Sequence, residues 1–352
     1  MDEWYLNNIV CPRDHSPLRY MNDELVCMSE GHRYPVVDGV PVMLLEDIEQ
    51  TMPLVHASIK RAKRISRDER APHLYLESLG ISEDEKKGLI RLALNNKVDV
   101  DPVVSYICAA TCGRLYKHLI GKLKSYPIPH LRLPPGNGRL FLDIGCNWGR
   151  WSIAAKRKGY NVIGIDPSLG AIMTAKRASE QLGLSIKYLV ADGRRMPFSN
   201  SSFNIVFSYA VLQHLSRIDT KTVVSEASRV LKPQGKSLIH MPNFLGFVSL
   251  YHQAKRRFRE GTRFEVRYWS IPALKKLFSN KIGKTKIVAD SYFGLQVQLS
   301  DVRFMTLRKK IVVIFSGIIR WLSRLIPVLT FFADGVYVKS MANKEIKDIH
   351  ST

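Results

Sequence analysis

Between residues 139 and 240, short apolar runs alternate with stretches of helical spacing. The runs at 139–143, 161–166, 186–191, 203–208 and 236–240 are four to six residues long, rich in Val, Ile, Leu and Phe, and read as buried strands. Helical periodicity fills 151–158, 171–182 and 221–231, and two later runs, 286–290 and 335–339, predict two more strands. Strands that alternate with helices at this period predict an α/β fold, with a mostly parallel sheet covered by helices on both faces.

The pattern upstream is different. Residues 1–46 carry strand-like runs at 25–27 and 41–45, with turns at Asp38-Gly39 and Ser29-Glu30-Gly31. A β-rich unit this small buries little apolar surface, so a metal staple is physically attractive. Residues 47–126 read as helical, with apolar spacing in Leu89, Leu92 and Ala93 and in Leu115, Leu119 and Leu123. A linker marked by Pro127, Pro129, Pro134, Pro135, Gly136 and Gly138 follows. The predicted organisation is a small unit at 1–46, a helical connector at 47–130, an α/β core at 131–294, an amphipathic helical insertion at 295–333, and a last strand and tail at 334–352. No internal repeat is visible.

The insertion holds a strongly apolar run at 310–332, interrupted by Arg320 and Arg324. Each arginine at a bilayer centre costs at least about 2.5 kcal/mol, and the uncharged pieces on either side fall far short of the roughly 20 residues of a span. A transmembrane helix is therefore not expected. Lys309, Ser316, Arg320 and Ser323 fall along one helical stripe, while Ile311, Ile314, Phe315, Ile318, Trp321, Leu322 and Leu325 cover much of the rest. Such a helix lies either on a membrane surface or on the protein's own core.

Length and charge narrow the function. A chain of 352 residues can hold one large domain with appendages, and a net charge of +22 predicts phosphate-rich partners, either RNA or an anionic membrane. Five cysteines and an opening Met-Asp-Glu-Trp without a basic, apolar leader suggest a reducing, cytoplasmic setting, peripheral to a membrane if the insertion docks there. Cys108 and Cys112, four apart on a predicted helix, read as small buried residues rather than metal ligands.

In an open parallel sheet the ligand sits beyond the carboxyl ends of the strands, so motifs at those ends carry the information. The first core strand runs into Asp143-Ile144-Gly145-Cys146-Asn147-Trp148-Gly149. A dinucleotide site would use Gly-x-Gly-x-x-Gly, which is absent, and Asp143 would repel a pyrophosphate but could bind an ammonium group. The second strand ends at Asp166-Pro167, about 20 residues on, where a carboxylate can accept from both ribose hydroxyls. The third ends in Ala191-Asp192-Gly193 and the fourth at Ser208.

These pieces, in this order, resemble the class I S-adenosylmethionine-dependent methyltransferases, whose fold is Rossmann-like. That family usually has glycine where Asn147 stands, and asparagine tolerates the positive φ such a position needs. The resemblance also covers Arg195-Met196-Pro197-Phe198 and the turn Lys232-Pro233-Gln234-Gly235, where Gln234 replaces a common glycine. It implies S-adenosylmethionine as cofactor, held by Asp143, Gly145, Cys146, Asn147, Gly149, Asp166, Pro167, Asp192, Gly193 and Ser208, with Asp192 on the adenine amine. Transfer from a sulfonium needs chiefly an in-line nucleophile and exclusion of water. Where the acceptor must lose a proton, His214 is a weak candidate base, and a histidine packed behind the sheet edge is the commoner reading of such a residue. His240, Asn243 and Tyr268 are weaker candidates.

At the N terminus, Cys11-Pro12-Arg13-Asp14 and Cys27-x4-His32 resemble the zinc ribbons of methyltransferase activators and of ribosomal RNA guanine methyltransferases. The resemblance implies one structural zinc on Cys11, Asp14, Cys27 and His32, with His15 as an alternative to Asp14. Because an aspartate stands where the second cysteine would, a metal-free remnant is the competing reading. For the acceptor, three readings stand: a small-molecule, lipid-linked or glycan acceptor; an rRNA or tRNA base, suggested by the ribbon and by basic, aromatic runs such as Lys255-Arg256-Arg257-Phe258-Arg259; or a non-catalytic S-adenosylmethionine-binding protein.

Overall fold

The runs of Val, Ile, Leu and Phe in the second half of the chain form the centre of one sheet. The computed structural model describes residues 1–48, 54–63, 74–94, 99–111, 117–296 and 298–343. Strands β5 (Leu140–Ile144), β6 (Asn161–Asp166), β7 (Lys187–Ala191), β8 (Phe203–Ser208) and β9 (Leu231–Pro242) pair in parallel, and nearly every side chain along them is buried. Burial on both faces explains why they read as continuous apolar runs. The covering helices are α5 (Arg150–Arg157), α6 (Leu169–Gln181), α7 (Arg217–Val230) and α9 (Ile271–Lys281). Ser168, Ser216 and Ser270 each cap a helix by accepting from the amide three residues on, which starts α6, α7 and α9 at those serines.

Two strands close the far side. β10 (Gly283–Ser291) and β11 (Gly335–Ala342) run antiparallel, with β11 inserted between β9 and β10. The chain from β5 runs one way through β6 and β7, then returns to the other side of β5 with β8, so strand order reverses at β5 and β8. A ligand crevice belongs there, beyond the carboxyl ends of those strands.

The N-terminal unit joins the same sheet. After the short helix α1 (Glu3–Asn8), strands β1 (Leu18–Met21), β2 (Glu24–Cys27), β3 (Arg33–Val37) and β4 (Val40–Met43) form an antiparallel meander. β4 then pairs in parallel with β7, Val42 opposite Val190 and Met43 opposite Ala191, giving eleven strands in the order β1-β2-β3-β4-β7-β6-β5-β8-β9-β11-β10. The meander covers the otherwise open edge of β7, and its core residues Tyr5, Leu25, Tyr34 and Met43 share one buried cluster with Ile163, Leu189 and Phe198.

Connector helices α2 (Leu54–Lys63), α3 (Glu83–Leu94) and α4 (Pro102–Thr111) pack beside α5, α6 and β7. Cys108 is fully buried among them, while Cys112, Leu115 and the tail from residue 344 lie outside the described residues. Downstream, α8 (Phe247–Lys255) follows β9, and α10 (Leu307–Leu322) packs on β10. Among the described residues no helix is long and apolar enough to cross a membrane.

Candidate functional site

The loop after β5 takes the backbone shapes its sequence demands. Gly145 and Gly149 sit at φ +70° and +81°, and Asn147 between them is also left-handed, at φ 51°. Asparagine holds that conformation by accepting from the Trp148 amide through its own side chain, at 2.7 Å. A Cβ on Gly145 would come within 2.4 Å of Val211, the residue just past β8 on the other side of the crevice. The loop is thus confined between two strand ends. Ser208 Oγ, donating to the Ile144 carbonyl at 2.9 Å, ties those ends together.

Asp166 closes the crevice at the end of β6. One carboxylate oxygen accepts from the Asn147 amide at 3.0 Å and the other from the Ser168 amide at 2.9 Å, so the first two motifs are bonded directly. Asp143 is 1% exposed and accepts from Ser152 Oγ of α5 at 2.7 Å. Burial pushes the Asp143 pKa up to about 7 and that of Asp166 to about 6, and the two carboxyls repel each other. Among the described residues neither makes an ion pair. The guanidinium of Arg150, at the start of α5, is held by Asp301 at 2.5 Å in a buried pair that ties the later segment to the loop after β5. Two buried carboxyls short of a cation form a site whose natural complement is a positively charged ligand.

The other motif residues line up around this point. Pro167 offers its carbonyl to Ser58 Oγ, and Ser168 Oγ donates to the Ser78 carbonyl at 2.7 Å. Ser58 and Ser78 come from the connector, and both are buried. Nothing in the local sequence marks them as site residues, because their role depends on contacts about a hundred residues away. Cys146 is buried, and burial pushes its thiol well up, so it packs as a neutral side chain. Gly193 leaves just enough room for Ile144, 3.0 Å from where a Cβ would stand. Asp192 accepts from Arg194 through both oxygens, and Arg194 also reaches Asp219 at 2.9 Å. The Arg194 amide also donates to Oδ1 at 2.8 Å, so each carboxylate oxygen already accepts from two donors of Arg194.

His214 has both ring nitrogens occupied. Nδ1 donates to the Phe264 carbonyl at 2.8 Å, and Nε2 accepts from the Gln213 amide at 3.0 Å. The ring stacks on Phe264, and desolvation pulls its pKa down to about 4. The lone pair a base would use is therefore spent on Gln213. His240, near the end of β9, is different: it is fully buried and, among the described residues, neither nitrogen has a hydrogen-bond partner. Its Nε2 lies 3.5 Å from Asp290, which accepts from Tyr209 at 2.9 Å and from Arg132 at 2.5 Å. Asn243 donates to the Phe331 and Ala333 carbonyls, and buried Tyr268 lies under the Arg256 guanidinium, so both hold together the segments that follow β9.

In the N-terminal unit, the ligand atoms of Cys11, Asp14, Cys27 and His32 all lie within 4.8 Å of one another. Asp14 Oδ2 is 3.4 Å from Cys27 Sγ, and Cys11 Sγ is 3.9 Å from His32 Nδ1. A tetrahedral zinc with ordinary bond lengths would set its ligand atoms about 3.3–3.8 Å apart, so the donor types fit, the Asp14–Cys27 separation matches, and the wider separations would have to close by up to about 1 Å around an ion. Asp14, not His15, completes the group.

Parts of the chain are similar to known proteins. Residues 141–235 match the family model described as a methyltransferase domain, and residues 5–39 match that of Trm112p-like protein. The curated relatives include a ubiquinone biosynthesis O-methyltransferase of Bartonella bacilliformis, 33% identical over 107 residues, or 30% of this chain and 42% of the relative. One from Azorhizobium caulinodans is 26% identical over 111 residues, 32% of this chain and 43% of the relative. The chain thus spans less than half the length of these relatives. Among solved structures, an S-adenosylmethionine-dependent methyltransferase of Methanosarcina mazei superposes with TM-score 0.44 at 19% identity, covering 61% of this chain and 100% of that one. A Haloferax volcanii complex of the Trm112 methyltransferase activator with a putative methyltransferase gives TM-score 0.41 at 16% identity, covering 60% and 86%.

Proposed function

We propose that this chain, which carries a methyltransferase domain preceded by a Trm112p-like domain, transfers the methyl group of S-adenosylmethionine to a small-molecule or lipid-linked acceptor. The observation that carries the reading is the pair of buried, unpaired carboxyls at the ends of β5 and β6. S-adenosylmethionine supplies what they lack: a sulfonium and an ammonium for the negative field, and two ribose hydroxyls for Asp166. Asp192 would take the adenine amine and Gly145 the close approach of the methionine half. The protein's own part in the reaction is to align the acceptor behind the methyl and keep water out.

The acceptor side favours a small molecule over RNA. Within the basic run at 255–259, Arg256 donates to the Val266 carbonyl and Arg259 pairs with Glu265, and Arg217 nearby pairs with Glu260. Guanidiniums spent on neighbours are less available to phosphates. We place the acceptor near Tyr209, just past β8, and His240, near the end of β9, whose buried imidazole packs on the Tyr209 ring with centroids 4.4 Å apart. In the N-terminal unit the same reading assigns one structural zinc to Cys11, Asp14, Cys27 and His32. The test is transfer of labelled methyl from S-adenosylmethionine to a lipid extract and, separately, to total RNA. Label in the lipid fraction is the expected result; label in RNA alone would replace the acceptor assignment.

A further inference from the structure

Helix α10 is turned the opposite way from an ordinary surface helix. Its polar stripe faces the protein: Ser316, 3% exposed, accepts from the Tyr292 amide at 2.9 Å, and Arg320 lies beside Arg132 and Asp290. Its apolar side faces out, with Ile311 60%, Phe315 52%, Ile318 50% and Trp321 56% exposed. These side chains do not complete the protein's own core. A helix that shows its apolar face to water needs something else to cover it.

The exposed face does not end with the helix. Phe315 stacks on Phe293 after β10, Phe293 on Phe247 at the start of α8, and Phe247 on Phe332 in the turn before β11, with centroids 5.8, 5.8 and 6.0 Å apart. Four segments far apart in sequence therefore build one aromatic and aliphatic surface. Tyr251 and Leu245, both exposed, extend it along α8.

Charge decides what covers it. From residue 303 to 332 there are six basic side chains and no Asp or Glu. Lys309 and Arg320 fall on the protein-facing stripe and Arg303 donates to the Tyr126 carbonyl, which leaves Arg308, Lys310 and Arg324 at the rim of the apolar face. A second copy meeting this face about a two-fold axis would bring the same positive charges together. Nucleic acid would satisfy the charges but leave the aliphatic centre against phosphates. An anionic lipid surface satisfies both, since acyl chains cover the apolar face and headgroups meet the basic rim.

We propose that α10, with the aromatic ladder running through Phe293 and Phe247 to Phe332, is a docking surface for an anionic bilayer. It lies on β10 beside the acceptor side of the sheet, so docking would present a bilayer-borne acceptor to the methyl donor. This last step rests on the proposed methyl transfer, whereas the docking itself does not.

Flotation of the full chain with vesicles of phosphatidylcholine alone, and of equal parts phosphatidylcholine and phosphatidylglycerol, tests it. The protein is expected to float with the mixed vesicles, to be released by added salt, and to remain behind with phosphatidylcholine alone. Ile314→Asp with Ile318→Asp is expected to lower binding by about tenfold or more, and Arg308→Glu with Lys310→Glu to weaken it and flatten its salt dependence. Because all four positions lie away from the cofactor crevice, melting temperature and S-adenosylmethionine affinity should be unchanged in both variants. Absence of flotation with either vesicle, equal binding to both, or undiminished flotation of the Ile314/Ile318 variant would overturn the proposal. So would a concentration-dependent dimer abolished by those same substitutions. S-adenosylmethionine binding is measured separately, so a chain that floats without binding it would contradict the proposed function and leave docking intact.

Discussion

Asn147 shows how far a single residue could be read in advance. Its departure from glycine raised the question of whether the cofactor loop is intact, and φ 51° answers that the loop keeps its left-handed turn. Asn147→Gly is therefore expected to retain S-adenosylmethionine binding within a few-fold, and Asn147→Val to lose most of it, because a β-branched residue resists positive φ. Titration calorimetry on the two variants reads the difference. The left-handed turns at Gly145 and Gly149 and the strand-end position of Asp166 were legible because both are local features. Ser58 and Ser78 were not, since a buried serine acquires meaning only from the partner the fold brings to it. The buried carboxyls also give the site a pH signature. Asp166 holds its proton more tightly in the fold than in the unfolded chain, with a pKa of about 6 against 3.8. Its contribution to stability is thus fully present below about pH 4 and lost as pH rises through about 6. His214 and His240, held neutral by burial with pKa values of about 4, act in the opposite direction over an overlapping window. The informative quantity is therefore a difference: without ligand, Asp166→Asn should gain melting temperature relative to the parent as pH rises from about 4 to 7. A difference that is flat with pH would contradict the burial of an unpaired carboxyl. Affinity of the parent for S-adenosylmethionine should rise over the same range, as the carboxylates ionise to meet the cation.

At the scale of elements, strand and helix periods located the α/β core to within a few residues. Helices predicted at 151–158 and 171–182 are observed as Arg150–Arg157 and Leu169–Gln181, and the fifth strand begins earlier, at Leu231. The difference at β9 arises because Lys232-Pro233-Gln234-Gly235 looks like a free turn, whereas Leu231, ahead of it, already lies opposite Phe203 of β8. In the N-terminal unit, spacing named a candidate ligand group but left Asp14 and His15 open, and the fold brings an Asp14 oxygen within 4.8 Å of the Cys11, Cys27 and His32 ligand atoms. Elemental analysis is expected to find about one zinc per chain, falling well below one in Cys27→Ser with a lower melting temperature. Zinc far below one equivalent in the parent protein would identify the unit as a metal-free remnant. For α10, sequence supplied both faces but not their direction, because amphipathicity alone does not say which face the protein keeps.

Across the whole molecule, one sheet joins three jobs. The N-terminal meander covers the β7 edge, the reversal of strand order at β5 and β8 makes the crevice, and β10 at the other edge carries α10. That β4 would pair in parallel with β7 was not legible, since strand pairing between units depends on an edge that exists only after folding. Every functional assignment in the core depends on the crevice holding S-adenosylmethionine. Calorimetric titration of the full chain with S-adenosylmethionine, repeated on Asp166→Ala, tests this most directly. One cofactor per chain is expected, with affinity in the variant reduced by roughly ten- to a hundred-fold, as loss of a charged hydrogen-bond partner costs about 1.5–3 kcal/mol. No binding by the parent, or equal affinity in the variant, would contradict the assignment of this crevice to the methyl donor.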